Sequence, residues 1–241
     1  MQLHKECLRV IKEVCDKLNP KIKASVSFFK ANSKDNSIII KSDNDIIIPT
    51  LRQQKKRENN EGGYLALSDF ILPEESDKVD YIATFAVTVG RDIQSYIEYL
   101  KSNGDDYKSV LLQSIADRLA EAAAAYTHYL VRTDMWGYSN EEKNVANIIK
   151  GNCSGIRPAI GYPSLPDQSL MFEMKNFIDF DKLGIEVTEN GAMYPNASVC
   201  GFMIANPNAR YFTLTIDENQ RNVYCQKRGI TLDDAKKWIA I

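Results

Sequence analysis

At 241 residues, with 44% hydrophobic and 26% charged residues, the chain has the make-up of a globular protein able to bury a substantial core. A net charge of -2 offers no broad basic field to nucleic acid, and no apolar run approaches the roughly 20 residues needed to span a bilayer. Cys7, Cys15, Cys153, Cys200 and Cys225 are scattered without a Cys-x-x-Cys pair, and only His4 and His128 accompany them. Neither a metal site nor a histidine-based catalytic group is therefore expected.

Residues 3 to 18 place Leu3, Cys7, Val10, Ile11, Val14 and Leu18 at helical spacing, and Asn19-Pro20 ends the run. This opening segment lacks the apolar centre of a signal peptide, so reduced thiols in a cytoplasmic protein are expected. Alternation from Lys23 to Phe29 predicts a strand. Ile38 to Ile40 and Ile46 to Ile48 flank polar residues 41 to 45 as a hairpin. The run Lys55-Lys56-Arg57, followed by Glu58 and Glu61, reads as a solvated turn. Tyr64 to Leu67 and Tyr81 to Val89 are further strand candidates, with an exposed loop expected over Ser68 to Pro73.

Gly104-Asp105-Asp106 opens the longest predicted helix, whose buried face is expected to carry Val110, Leu111, Ile115, Leu119, Ala122, Tyr126 and Leu130. Asp117 and Glu121 lie one turn apart on another face, where like charges repel unless a cation or donor intervenes. Glu121 is thus either a solvated carboxylate or one reserved for a cationic group or hydroxyl of a ligand. Ser139 with Glu142 forms a capping-box signature for a short helix through Ile149. Asp167 to Phe177 reads as helix, and Ile185 to Thr188 as a strand before the Asn190-Gly191 turn. Ser198 to Ala205 and Tyr211 to Ile216 read as a hairpin around residues 206 to 210. A helix from Asp217 to Arg228 stops at Gly229, and Thr231 with Asp234 caps a last one.

Strands joined by local hairpins, with helices in blocks, predict an α+β fold with a largely antiparallel sheet. No Gly-x-Gly-x-x-Gly or phosphate loop follows a strand, which disfavours a doubly wound nucleotide-binding fold. Between the helical blocks, Arg157-Pro158-Ala159-Ile160-Gly161-Tyr162-Pro163 combines a carboxylate-binding fork, two rigid prolines, a glycine and a phenol. Such a run suits a small-molecule site. It equally suits a proline-kinked surface turn.

Several of these stretches, in the same order along nearly the whole chain, resemble the C-terminal activation domain of cobalamin-dependent methionine synthase. They include Phe28-Phe29-Lys30-Ala31-Asn32, Leu51-Arg52-Gln53-Gln54 and Leu67-Ser68-Asp69-Phe70-Ile71. They continue through Asp117-Arg118-Leu119-Ala120-Glu121-Ala122, Trp136-Gly137-Tyr138 and Gly155-Ile156-Arg157-Pro158-Ala159 with Gly161-Tyr162-Pro163. The resemblance implies one C-shaped α+β domain over residues 1 to 241, built on a twisted antiparallel sheet with flanking helices, and S-adenosylmethionine as ligand. Arg157 matches the arginine that pairs with the ligand carboxylate, and the Ala159 and Gly161 backbone matches groups on the nucleoside. Tyr162 matches a tyrosine facing cobalamin, Glu121 a carboxylate that helps hold the ligand, and Tyr211 with Phe212 an aromatic pair in the cleft.

The implied role is reactivation, with S-adenosylmethionine as methyl donor, cobalamin held by a partner module and a flavodoxin-like protein supplying the electron. No residue of this chain is implied as acid, base or nucleophile, so the domain is not expected to be catalytic alone. Two departures stand out. Gly151 occupies the position, six residues before the arginine, where the family has a glutamate, and no Asp-Trp segment precedes Phe28. The competing expectation is therefore a docking module that has lost its ligand. An ordinary methyltransferase is disfavoured by the missing glycine-rich signature.

Overall fold

The computed structural model describes residues 2–55, 63–140, 145–150 and 153–239. An amphipathic helix α1 (Gln2–Leu18) is followed by strands β1 (Lys23–Lys34), β2 (Ser37–Ile40), β3 (Ile46–Pro49) and β4 (Asp80–Thr88). Helices α2 (Arg91–Ser102), α3 (Asp106–Leu130), α4 (Val145–Lys150), α5 (Leu170–Glu173) and α6 (Phe180–Leu183) come next. A two-stranded pair, β5 (Glu186–Val187) and β6 (Met193–Tyr194), precedes β7 (Ser198–Met203), and α7 (Glu218–Arg228) and α8 (Leu232–Trp238) close the chain. The five-stranded sheet has the order β3-β2-β1-β4-β7, and every neighbouring pair is antiparallel, as the sequence predicts.

The centre of this sheet is apolar on both faces. On β4, Ile82 and Ala86 join one core with Ile38, Ile40 and Phe202, under the C-terminal helices. Ala83, Phe85 and Val87 point the other way, into a second core with α1, α2 and α3. A strand covered on both sides by helices and loops reads as a continuous apolar run. That is why Tyr81 to Val89 was legible. Among the described residues no helix is long and apolar enough to cross a membrane.

Several expectations require correction. Tyr64 to Leu67 is not a strand: the Gln53 N–H donates to Leu65 O and the Leu65 N–H to Gln53 Oε1, so a buried glutamine takes the place of a ladder partner. Residues 67 to 70 form a 3-10 turn held by Asp69, which accepts the Ala66 N–H and pairs with Arg52. Leu67, Phe70 and Ile71 are buried, not exposed. On α3 the buried ridge is Leu112, Ala116, Ala120 and Ala124, while Val110, Ala122 and Tyr126 face outward. Small side chains one turn apart let the helix axis approach the sheet, and this close approach outweighs the larger apolar residues on the neighbouring face. Only the Leu170–Glu173 part of the predicted 167–177 helix is α-helical, because the Asp167 carboxylate is drawn inward to Tyr224 and Arg228.

Tyr211 to Ile216 keeps a strand-like alternation, with Phe212 and Leu214 buried, yet it pairs with no strand. The edge of β7 it was expected to occupy is taken by the loop around Arg157. The α4 helix is described over Val145–Lys150; Glu142, like Lys56 to Glu61 and Gly151, lies outside the described residues.

Candidate functional site

The loop from Gly155 to Leu165 is fastened to β7 as an extra edge segment. Ile156 and Ile204 exchange N–H to O bonds of 3.0 and 2.9 Å. Farther along, the Phe202 N–H donates to Pro158 O, and the Ile160 N–H to Cys200 O, both at 3.0 Å. Pro158 can lie here because it contributes only its carbonyl. The close approach depends on Gly201, where a Cβ would collide with the Pro158 carbonyl oxygen and lie 2.7 Å from Ala159 Cα. Ala159 sits opposite Gly201 in a non-hydrogen-bonded bridge, so its own N–H and C=O are turned away from β7. The loop then reverses: Gly161 takes a φ of +83°, its N–H donates to Leu165 O, and the Leu165 N–H donates to Tyr162 O.

This fastening leaves a cleft of about 560 Å³ between the loop, Glu121 of α3 and residues 210 to 213, floored by Phe85 and Val199. Six of the seven residues singled out from the sequence line it: Glu121, Arg157, Ala159, Tyr162, Tyr211 and Phe212. Gly161 does not line it. Its N–H is committed to Leu165, and a Cβ would run into the Gln168 side chain, so its contribution is the shape of the turn.

The polar groups of the cleft fall into two sets. The Tyr162 hydroxyl donates to Glu121 Oε1, bridging loop and helix. Burial, reinforced by this carboxylate, pushes the Tyr162 phenol up to about 12, so it stays a donor at any working pH. The expected repulsion between Asp117 and Glu121 is thereby relieved at both ends, since Gln113 Nε2 donates to Asp117 at 2.8 Å. On the opposite side the Arg157 main-chain N–H donates to the Tyr211 hydroxyl at 2.9 Å, tying the loop to the 210–213 wall. Burial raises the Tyr211 phenol above its ordinary pKa. No hydrogen bond or ion pair among the described residues engages the Arg157 guanidinium, which is half-buried and available to an anion.

Sequence reasoning missed Gln53, Cys153, Arg210 and Gly201. Gln53 Nε2 donates to Thr213 O at 2.9 Å, which positions the aromatic wall from a residue 160 positions away. Arg210 lines the cleft beside Tyr211, and its adjacency to the aromatic pair was the available signal. Nothing local marks Gly201, because its constraint comes from a loop some 40 residues earlier. Among the described residues no three His, Cys, Asp or Glu side chains gather as a metal-binding group.

A family model described as vitamin B12 dependent methionine synthase, activation domain, matches residues 1–229. A crystal structure of the MetH reactivation domain bound to AdoHcy is similar to this chain with a TM-score of 0.90 and 31% sequence identity, over 98% of this chain and 75% of that one.

Proposed function

The chain belongs to the activation-domain family of vitamin B12-dependent methionine synthase, and we propose that its cleft binds S-adenosylmethionine, making it a reactivation module for such an enzyme. The observation that carries this reading is the unengaged Arg157 guanidinium, fixed at its main chain and facing a cleft with two aromatic walls. A cleft of about 560 Å³ lies within the range that encloses a nucleoside-sized ligand. The MetH domain with the same fold holds AdoHcy, the demethylated form of the proposed ligand.

The residues fit that ligand part by part. Arg157 presents a planar fork to the amino-acid carboxylate. Tyr211 and Phe212 offer rings against which a purine packs, and the outward N–H of Ala159 offers a main-chain contact to the nucleoside, while its C=O already accepts from the Tyr162 N–H. Glu121 offers an acceptor to the ammonium or a ribose hydroxyl, sharing it with Tyr162. Tyr162 is 48% exposed at the mouth and forms the wall nearest a docked partner.

When bound, S-adenosylmethionine supplies an electrophilic methyl group to cobalamin, which a partner module carries and a flavodoxin-like donor reduces. This chain's part is to hold and aim the donor, a task that depends on orientation and not on an acid or base. Titration calorimetry with S-adenosylmethionine and AdoHcy tests the reading. Saturable binding is expected for both. No heat at millimolar ligand would overturn it in favour of a docking module that has lost the ligand.

A further inference from the structure

The Trp136-Gly137-Tyr138 run lies outside the cleft lining, yet it is built into the support of the loop. At the end of α3 the helix widens into a π turn over Val131–Met135. The Trp136 N–H donates back to Val131 O and the Ser139 N–H to Arg132 O, folding the chain back along α3. Gly137 permits the reversal with a φ of +73°. Tyr138 thereby returns to His128, ten residues earlier, and shares a hydrogen bond of 3.1 Å between its hydroxyl and His128 Nε2.

His128 is fully buried, and its Nδ1 has no hydrogen-bond partner among the described residues. A half-satisfied buried imidazole is costly, so an explanation is needed for its place in the core. The hydroxyl of Tyr138 supplies one. It lies against Gly155, where a Cβ would come within 2.8 Å of it and 2.5 Å of Ile204 O. Gly155 lines the cleft in a left-handed conformation, φ +78°, two residues before Arg157. Arg157 is held at its N–H by Tyr211 and on one side by the β7 edge. The Tyr138 hydroxyl, held by His128, meets the same loop at Gly155.

We infer that His128 and Tyr138 are positioning residues for the ligand cleft, a buttress from α3 that fixes Gly155 and so aims the Arg157 guanidinium at the ligand carboxylate. The inference rests on the cleft reading above and goes beyond it by assigning a role to two residues that do not line the cleft. Because Arg157 addresses only the amino-acid end, the buttress acts on ligands that carry that end. It has no lever on a nucleoside alone.

Titration calorimetry with AdoHcy and with methylthioadenosine, which has the nucleoside and thioether but no carboxylate, tests this. Tyr138→Phe is expected to weaken AdoHcy about tenfold, in the range of coupled neighbours, and to leave methylthioadenosine unchanged. In an Arg157→Ala background it is expected to add nothing. Tyr138→Phe with His128→Leu removes both polar partners, so the melting temperature recovers relative to the single variant while AdoHcy affinity stays low. This double variant also serves if Tyr138→Phe alone folds poorly. Equal loss for both ligands, or affinity that recovers together with the melting temperature, would show a merely structural pair. Wild-type protein that binds AdoHcy with Tyr138→Phe unaffected overturns the buttress alone. Wild-type protein that binds neither ligand overturns the cleft reading and the buttress together.

Discussion

Gly201→Ala tests whether the edge of β7 is what builds the cleft. The new Cβ would lie 2.7 Å from Ala159 Cα and closer still to the Pro158 carbonyl oxygen, both backbone atoms that no rotamer change can move aside. Reaching ordinary contact at 3.4 Å requires the loop to retreat by about 0.7 Å at Ala159 and by more than that at Pro158. The two flanking hydrogen bonds, Phe202 N–H to Pro158 O and Ile160 N–H to Cys200 O, start at 3.0 Å, so such a retreat takes them past hydrogen-bonding distance. Losing two such bonds costs about 1–3 kcal/mol, a fall in melting temperature of about 2–12 °C for a chain of this size. Because Ala159 and Arg157 move with the loop, AdoHcy affinity measured by calorimetry is expected to fall as well. A variant with wild-type melting temperature and wild-type affinity would refute the account of the loop as a strand-like addition to β7.

Three further outcomes are expected. Arg157→Ala should weaken AdoHcy by about 1.5–3 kcal/mol, roughly 10- to 150-fold in titration calorimetry, with little change in melting temperature because the guanidinium supports no neighbour. Asp167→Asn should lower the melting temperature more than any cleft substitution. Asp167 is buried, pairs with buried Arg228 at 3.1 Å and accepts from Tyr224 at 2.7 Å, and breaking such a pair costs about 3–5 kcal/mol. In the folded state His128 is held at about 3, below its ordinary 6.5, chiefly by burial and then by the charges of Arg132 and Arg157. Between those values the unfolded chain takes up a proton that the folded one refuses. Stability therefore falls as pH drops from 6.5 towards 3, by up to about 1.4 kcal/mol per pH unit, and denaturant titrations of His128→Leu across that window should show a shallower loss.

The parts of the fold that sequence made legible are those whose signal is local. Asp217 and Thr231 cap α7 and α8 by accepting main-chain N–H groups three residues ahead, and Gly229 stops α7 in a left-handed turn. The isoleucine runs of β2 and β3 pair in the register their hairpin requires. Helix α2 was legible and overlooked: Ile93, Ile97 and Leu100 follow helical spacing and are buried. The other misreadings share a physical cause. In α3 periodicity showed that a face is buried but not that the alanines would be chosen over Val110 and Tyr126, which depends on how near the sheet lies. In Tyr211 to Ile216 the alternation correctly reported a half-buried extended segment, but pairing is a competition between segments distant in sequence.

That competition is also what makes the site. A hairpin between β7 and residues 211 to 216 would have satisfied the same edge at a lower loop-closure cost, with five intervening residues instead of about 40. Its loss to the Arg157 loop requires something that favours the distant partner. Gly201 supplies it by removing the side chain that would hold Pro158 and Ala159 away. Gln53 adds to it by taking the Thr213 carbonyl and so holding the displaced segment elsewhere. Displaced but not released, Tyr211 turns its hydroxyl back to the Arg157 N–H and becomes the opposite wall. The cleft is the gap left when a nearby strand is denied its edge. Its residues were therefore recognisable as types in the sequence, while their meeting depended on a glycine and a glutamine that carry no ligand-binding chemistry.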